Sequence, residues 1–446
     1  MVIVNEIFSL ILPTLISAAP LILAALAGLF CERSGVVNIA LEGKMLAAAF
    51  AGFYTSAVLN QSIDPTLAAL AGLGMGIVVG LLMSLIHGFS TVSLRGDQVV
   101  SGVAINLLAA GITAFLSRSL DQTAKGVRTL QTELGRLLKK ETLTDDQSAR
   151  VAELREALGP DRANFADINQ QVSLAKRGLA KAQRALDKIW ADGNAGQATD
   201  QAGLADQANQ ANQANQANLA EVAALQAQIA ENEAILQALD SAFRAGRPEF
   251  VAARFTDIQP FADVPALSWI SGSNLPILLA LLAVPIVWWV IWHSRFGLRV
   301  RAVGEAPEAA DTAGVSVIGT RYAAILISGA LCGVAGSLLL LAGSGQFVDN
   351  MTAGRGYIAL AALIFARWRP VATLGACLLF GLFRALSDRA VNWFDFGNEG
   401  WLYFIDQGLP QFFGMLPYVF TVVALALFAG RAIAPRAIGV AYVKER

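Results

Sequence analysis

From Ile7 to Phe30 the chain passes 24 residues without a charged side chain. As a helix that stretch is about 36 Å long, enough to cross the hydrocarbon core of a bilayer. In that medium each backbone N–H and C=O must find its partner inside the protein, and a helix satisfies its own. Further apolar segments follow at Thr66–Leu94, Gln98–Leu116, Ile277–Trp292, Tyr322–Leu341, Val371–Leu386 and Phe412–Ala429. The composition agrees, with 55% hydrophobic and 15% charged residues and a net charge of −1. The expected fold is all-α: a polytopic membrane protein of about nine spans, some of them broken. No basic region precedes Ile7–Phe30, so a cleaved signal peptide is not expected.

Two polar interruptions stand out between apolar runs. The first, Gly35–Gly43, leads into an apolar run that ends near Leu59; Asn38 is a candidate N-cap there, and Glu42 falls where a helix dipole favours an acid. Asn38 and Glu42 either satisfy exposed backbone at the membrane edge or line a translocation path, and the residues leave both readings open. The second, Gly343–Gly356, contains Asn350 and precedes Ile358–Ala366, which is too short to span and reads as a half-helix. Non-helical backbone survives at membrane depth only against protein or water. Asn38, Glu42 and Asn350 are therefore the candidate lining of one shared path. Gly72, Gly74, Gly76 and Gly80 in the third span allow close helix approach, and Asn106 in the fourth reads as an interhelical hydrogen bond.

Between Arg118 and about Pro260 charged residues, Gln, Asn and Ala replace the aliphatic runs, and Gln-Ala-Asn repeats four times over Gln207–Asn218. Val222, Leu225, Ile229, Asn232, Leu236, Leu239 and Phe243 recur at spacings of three and four, an a/d pattern with one polar position. Leu130, Leu134, Leu137, Val151, Leu154 and Leu158 offer earlier faces to pair with it, with Gly193–Gly203 as a turn. The expected organisation is a first membrane half (1–118), a soluble helical, coiled-coil-like insertion (119–262) and a second membrane half (263–446).

The loop from His293 to Arg321 separates two apolar runs and carries Arg295, Arg299, Arg301 and Arg321, which assigns it to the cytoplasm. Its middle reads as a short helix: Pro307 suits a first turn, Glu308 and Asp311 suit the positive end of the dipole, and Gly314 suits a stop. Nine crossings put the N-terminus and the insertion outside and the C-terminus inside. Arg33 with Lys44, Arg95, Arg367 with Arg369, and the basic tail then fall on the cytoplasmic side.

The residues offer little to catalysis. Cys31, Cys332 and Cys377 show no ligand or disulfide spacing, and His87 and His293 have no acidic or thiol neighbours at ligand spacing. No metal, cofactor or nucleic acid is expected. A GxxxxGK[ST] phosphate loop is absent, so any ATP must be handled by another subunit.

Glu308-Ala309-Ala310-x-x-x-Gly314 resembles the loop by which permeases of ABC importers dock on their ATPases, although Glu-Ala-Ala alone is cheap in an alanine-rich chain. Four separated motifs extend the resemblance: Glu32-Arg-Ser-Gly-Val-Val-Asn-Ile-Ala-Leu-Glu-Gly43; Arg301-Ala-Val-Gly-Glu305 with Glu308–Gly314; Asn350-Met-Thr-Ala-Gly-Arg-Gly-Tyr-Ile-Ala-Leu-Ala-Ala-Leu-Ile-Phe365; and Met415-Leu-Pro-Tyr418. Together they resemble the inner-membrane permeases of bacterial ABC importers for nucleosides and simple sugars, nearest the nucleoside branch. The departures are Ala306, where the family usually shows Asn, and the insertion, which typical members lack.

The resemblance implies a permease without its own nucleotide-binding site, docked through Glu305, Glu308, Ala309, Ala310 and Gly314 on a cytoplasmic ATP-binding subunit. It further implies a second permease subunit, as a heterodimer, and an extracytoplasmic substrate-binding protein. Simple sugars are the alternative cargo. An ion-coupled transporter would need more ionisable groups in its spans than Glu42 and the Arg384/Asp388 pair. A membrane-anchored coiled-coil interaction protein would not need nine spans.

Overall fold

The computed structural model describes residues 2–138, 145–163, 175–185, 223–235, 274–341, 346–393, 415–416, 419 and 434–444. All structural statements below concern these residues. They fall into two compact units, Met1–Leu120 with Phe250–Arg446, and Asp121–Glu249.

The first unit is a helical bundle built around α1 (Val2–Arg33), whose residues from Ala18 to Cys31 are almost wholly buried. α1 ends where Gly35 turns left-handed at φ +86. There Gly35 N donates to the Glu32 carbonyl and Val36 N to the Cys31 carbonyl, the paired bonds of a Schellman stop. α2 (Leu41–Leu59) follows the break and is buried over most of its length. Asp64 then caps α3 (Pro65–Gly88) by accepting from Thr66 N at 2.8 Å, with Pro65 in the first turn. α3 runs on through a π-helical turn, Phe89–Ser93. α4 (Gln98–Leu138) starts from Asp97, whose carboxylate accepts from Val99 N and Val100 N.

The second membrane half comprises α6 (Asn274–His293), α7 (Arg295–Glu305), α8 (Pro307–Thr312), α9 (Val317–Leu341), α10 (Arg355–Phe365) and α11 (Pro370–Trp393). Six described stretches are long and apolar enough to cross a membrane: Leu10–Arg33, Pro65–Ser93, Gln98–Leu120, Pro276–His293, Val317–Leu341 and Pro370–Asp388. Of the other expected crossings, α2 carries Glu42 and Lys44 in its first turn, α10 is a short apolar helix, and Phe412–Ala429 lies outside the described residues except at 415–416 and 419.

α1 packs against α6, α9, α10 and α11, while α2, α3 and α9 form a tight group beside it. Glycine makes that tightness possible. A Cβ on Gly80 would come 2.3 Å from the Gly329 carbonyl oxygen, and one on Gly72 would come 2.7 Å from that of Gly52. Gly74, on the same helix, faces open space. Lipid tails are as apolar as leucine, so close van der Waals contact of this kind, rather than a hydrophobic driving force, holds helices together in a bilayer.

In the second unit, Leu134 of α4 buries against Val151, Leu154 and Leu158 of α5 (Asp145–Ala163), with Leu130 and Leu137 alongside. Among the described residues these leucines meet one another; most of the stripe beginning at Val222 lies outside them. In the helical segment 223–235, Leu225, Ile229 and Asn232 form a half-buried stripe, and Asn232 lies against Gly178 of segment 175–185. Gly193–Gly203, the Gln207–Asn218 repeats and the heptad positions beyond 235 lie outside the described residues.

Candidate functional site

The two breaks meet. Glu42, in the first turn of α2, reaches the N-terminus of α10: its Oε1 accepts from Gly354 N at 2.8 Å and its Oε2 from Gly356 N at 2.6 Å. α10 has no side-chain cap of its own, so a carboxylate from another helix satisfies its orphan donors. Gly356 has no room for a Cβ, which would fall 2.5 Å from Glu42 N. The segment before α10 is bent to reach this point through left-handed Asn350, Ala353 and Gly354. Phe347 holds it edge-on to Phe50 of α2, with ring centroids 5.1 Å apart.

Asn106 of α4 completes the joint. Its Oδ1 accepts from Gly43 N at 2.7 Å, and its Nδ2 lies within hydrogen-bonding distance of the Ile39 carbonyl and the Tyr357 hydroxyl. The expected interhelical role of Asn106 is therefore present, and one amide ties together the α1–α2 break, α4 and α10.

Behind this joint lies a polar cluster that is fully buried. Asn38 Nδ2 donates to Ser328 Oγ at 2.8 Å, and Lys44 Nζ lies 3.3 Å from Asn38 Oδ1 and 3.1 Å from His87 Nδ1. Two sequence expectations change here. Asn38 is not the N-cap of α2; that position is Ala40, without a side-chain cap bond, because the Asn38 amide is engaged across the bundle with α9. Lys44 does not belong with the surface cations, since it has no exposure at all. Of the three candidate lining residues, Asn38 and Glu42 are buried whereas Asn350 is exposed, so Glu42 alone touches both breaks. The signal for Lys44 was present in the chain: a lone cation followed by Met-Leu-Ala-Ala-Ala-Phe leaves little for a surface face.

At the C-terminal end of α1, beside Arg33 and Gly35, the His293–Arg321 loop folds into two helices rather than one. Ser294 caps α7 by accepting from Gly297 N at 3.0 Å, and α8 begins with Pro307 at its first turn. Gly314 stops α8 with φ +81: Gly314 N donates to the Asp311 carbonyl and Val315 N to the Ala310 carbonyl, each at 2.9 Å. Ala310 turns inward against Val303 and Val317. Glu305, Glu308, Ala309 and Gly314 remain exposed, so the predicted docking residues divide into one buried anchor and a solvent face.

The same end is tied by Glu32 and Arg33. The Trp368 indole N–H donates to Glu32 Oε2, Arg33 Nη2 donates to the Trp368 carbonyl at 3.1 Å, and Arg33 and Arg301 both lie over the Trp292 ring. Residues 434–444 cross this end as a strap that turns at 436–439, which sequence patterning did not single out.

The model of the permease component of branched-chain amino acid transport systems matches residues 10–135 and 219–428. The chain is 29% identical over 449 residues to the nucleoside ABC transporter permease protein NupC of Lactococcus lactis subsp. cremoris, covering 100% of this chain and 99% of the relative. It is 31% identical over 448 residues to the guanosine ABC transporter permease protein NupQ of Bacillus subtilis, covering 99% and 98%. It is also 39% identical over 117 residues to the guanosine permease protein NupP of the same organism, covering 25% of this chain and 33% of NupP. Both long alignments run through the insertion, which is thus not peculiar to this chain. No solved structure matches. With a bundle of membrane-length helices and a family match over most of its length, the chain is a multi-pass membrane protein and belongs to the family of permease components of branched-chain amino acid transport systems.

Proposed function

We propose that this chain is the permease subunit of an ABC importer that moves nucleosides inward across the cytoplasmic membrane, driven by ATP hydrolysis on a separate cytoplasmic subunit. The observation that carries the reading is alignment over essentially the whole chain with two permeases named for nucleoside and guanosine transport. α8 is the docking element: Glu305, Glu308, Ala309 and Gly314 enter a cleft on the ATPase, while Ala310 anchors the helix to the bundle. The permease pairs with a paralogous second permease subunit, a reading supported by the presence of two guanosine permease proteins, NupQ and NupP, in one organism. An extracytoplasmic binding protein delivers the nucleoside.

In this reading the basic end carrying α8 faces the cytoplasm, with the C-terminus inside and the N-terminus and the insertion outside. The path runs along the joint between the two breaks, with Asn38, Glu42 and Asn350 as its polar lining. Glu42 supports this because its carboxylate bridges the two breaks through hydrogen bonds from Gly354 N and Gly356 N.

The test is reconstitution in proteoliposomes with the ATPase, the second permease and the binding protein. Labelled guanosine should accumulate only with ATP, and unlabelled pentose should not compete; ATP-dependent uptake of pentose in place of nucleoside would overturn the assignment. Replacing Gly314 by Val should cost about 1–2 kcal/mol in the left-handed stop and disturb docking. ATP-driven uptake should then fall while membrane insertion persists.

A further inference from the structure

The strap 434–444 touches α7, α8, α9 and the stop of α1. Arg436 N donates to Glu305 Oε2 at 3.4 Å, and Ala437 N donates to the carbonyl of Gly304 at 2.9 Å, both at the end of α7. Two residues later Gly439 N donates to the carbonyl of Gly35 at 3.2 Å, the residue that opens the α1–α2 break. The Val440 carbonyl accepts from Arg321 Nη1 of α9 at 3.1 Å. Tyr442 then packs on the cluster of Val303, Ala310 and Val317, and Lys444 Nζ lies 3.8 Å from the Asp311 carboxylate of α8.

These contacts fall into two sets. One set holds α7 and α8; the other holds the stop of α1 and the first turn of α9. α7 also abuts α1 directly, since Gly304 sits against the Arg33 carbonyl. α8 is joined to α7 through Ala306, packs through Ala310 on Val303 and Val317, and is touched by Tyr442 and Lys444 of the strap. Gly35 in turn is crowded by the strap, for a Cβ there would come 3.0 Å from the Ala437 carbonyl oxygen. A displacement of α8 therefore reaches Gly35 through the short run from Tyr442 to Gly439, packed against Ala310 at one end and hydrogen-bonded to the Gly35 carbonyl at the other.

We propose that residues 434–444 are a positioning element that couples α8 to the α1–α2 break, so that movement of the docking helix reaches Glu42 and the joint it holds. This rests on the reading of α8 as the ATPase-docking helix. Ala437, Gly439 and Tyr442 carry the coupling, and none of them contacts the transported solute.

The experiment uses the full reconstituted transporter and reads guanosine moved per ATP hydrolysed, together with co-purification of the ATPase. Ala437→Pro removes the N–H that Gly304 accepts, whereas Ala437→Gly keeps it. A chain ending at Pro435 removes the strap altogether. In both the proline variant and the truncation, the ATPase should co-purify at native yield and hydrolyse ATP. Transport per ATP should nevertheless fall by at least about fivefold, with Ala437→Gly within about twofold of native. Native transport per ATP in Ala437→Pro would overturn the proposal, and so would loss of ATPase co-purification, which would make the strap a docking surface instead. If the native chain itself failed to retain the ATPase, the docking reading of α8 would fall first. A truncated chain that did not fold would leave Ala437→Pro to decide.

Discussion

Replacing Glu42 by Ala tests the joint directly. The carboxylate, 7% exposed, accepts from two backbone donors at the N-terminus of α10, at 2.8 and 2.6 Å. Hydrogen bonds to a charged acceptor contribute about 1.5–3 kcal/mol each, and the helix dipole adds roughly 0.3–1 kcal/mol. Against this stands the cost of burying the carboxylate, which the alanine variant also removes. A net loss of about 3 kcal/mol is the reasonable expectation, and it falls on the first turn of α10 rather than on the whole bundle. Gln retains one acceptor oxygen but turns an amide NH2 toward the other donor, so it should lose roughly half as much. The assay is backbone hydrogen exchange of peptides covering residues 353–358 in the purified protein, with peptides from α3 as the internal reference. About 3 kcal/mol corresponds to exchange on the order of 100-fold faster at Gly354 and Gly356 in the alanine variant. The order should be Ala fastest, Gln intermediate, native slowest, with α3 unchanged. Native protection at those two amides in Glu42→Ala would refute the claim that Glu42 caps α10.

Two further outcomes follow from the packing. Gly80→Val should destabilise the bundle by about 1–3 kcal/mol or prevent its assembly, because the added Cβ meets the Gly329 backbone, while Gly74→Val should melt at the native temperature; detergent-solubilised thermal melts compare them. In the second unit, the Arg150 guanidinium hydrogen-bonded to Glu133 at 2.9 Å holds that carboxyl below its usual range, and Glu133 in turn holds Arg150 above its own. A carboxyl with a lowered folded-state pKa stabilises above its unfolded value and loses that contribution as pH falls through the folded value. Hydrogen exchange across α5 should therefore distinguish Arg150→Ala from the native chain at pH 7, and the difference should vanish once the pH is taken well below 4.5.

Much of this architecture was legible because membrane burial imposes strong local rules. An uncharged run such as Ile7–Phe30 has one economical conformation, and a composition change as sharp as that after Arg118 marks a different solvent. Local chemistry also carried well at the stops. Gly314 could be read as a left-handed terminator, since its conformational requirement involves only its own backbone and the carbonyls of the preceding turn.

What sequence could not determine was which polar group answers which across the bundle. Asn38 was placed as a cap because its neighbours invite one, yet its amide is committed to Ser328, 290 positions away in the chain. Lys44 read as one more surface cation, and its partner His87 follows only from the packing of α2 against α3 and α9. Leu134 could have paired with any apolar stripe of suitable period; its choice of α5 depends on how the chain turns back. Glu42 is the sharpest case. Its helix position followed from the pattern of residues around it, but its partners at Gly354 and Gly356 were set by the tertiary fold, which brings two helix starts to one carboxylate. Periodicity and caps are short-range and written in neighbouring residues, whereas the satisfaction of a buried polar group is a long-range condition that only the assembled bundle resolves.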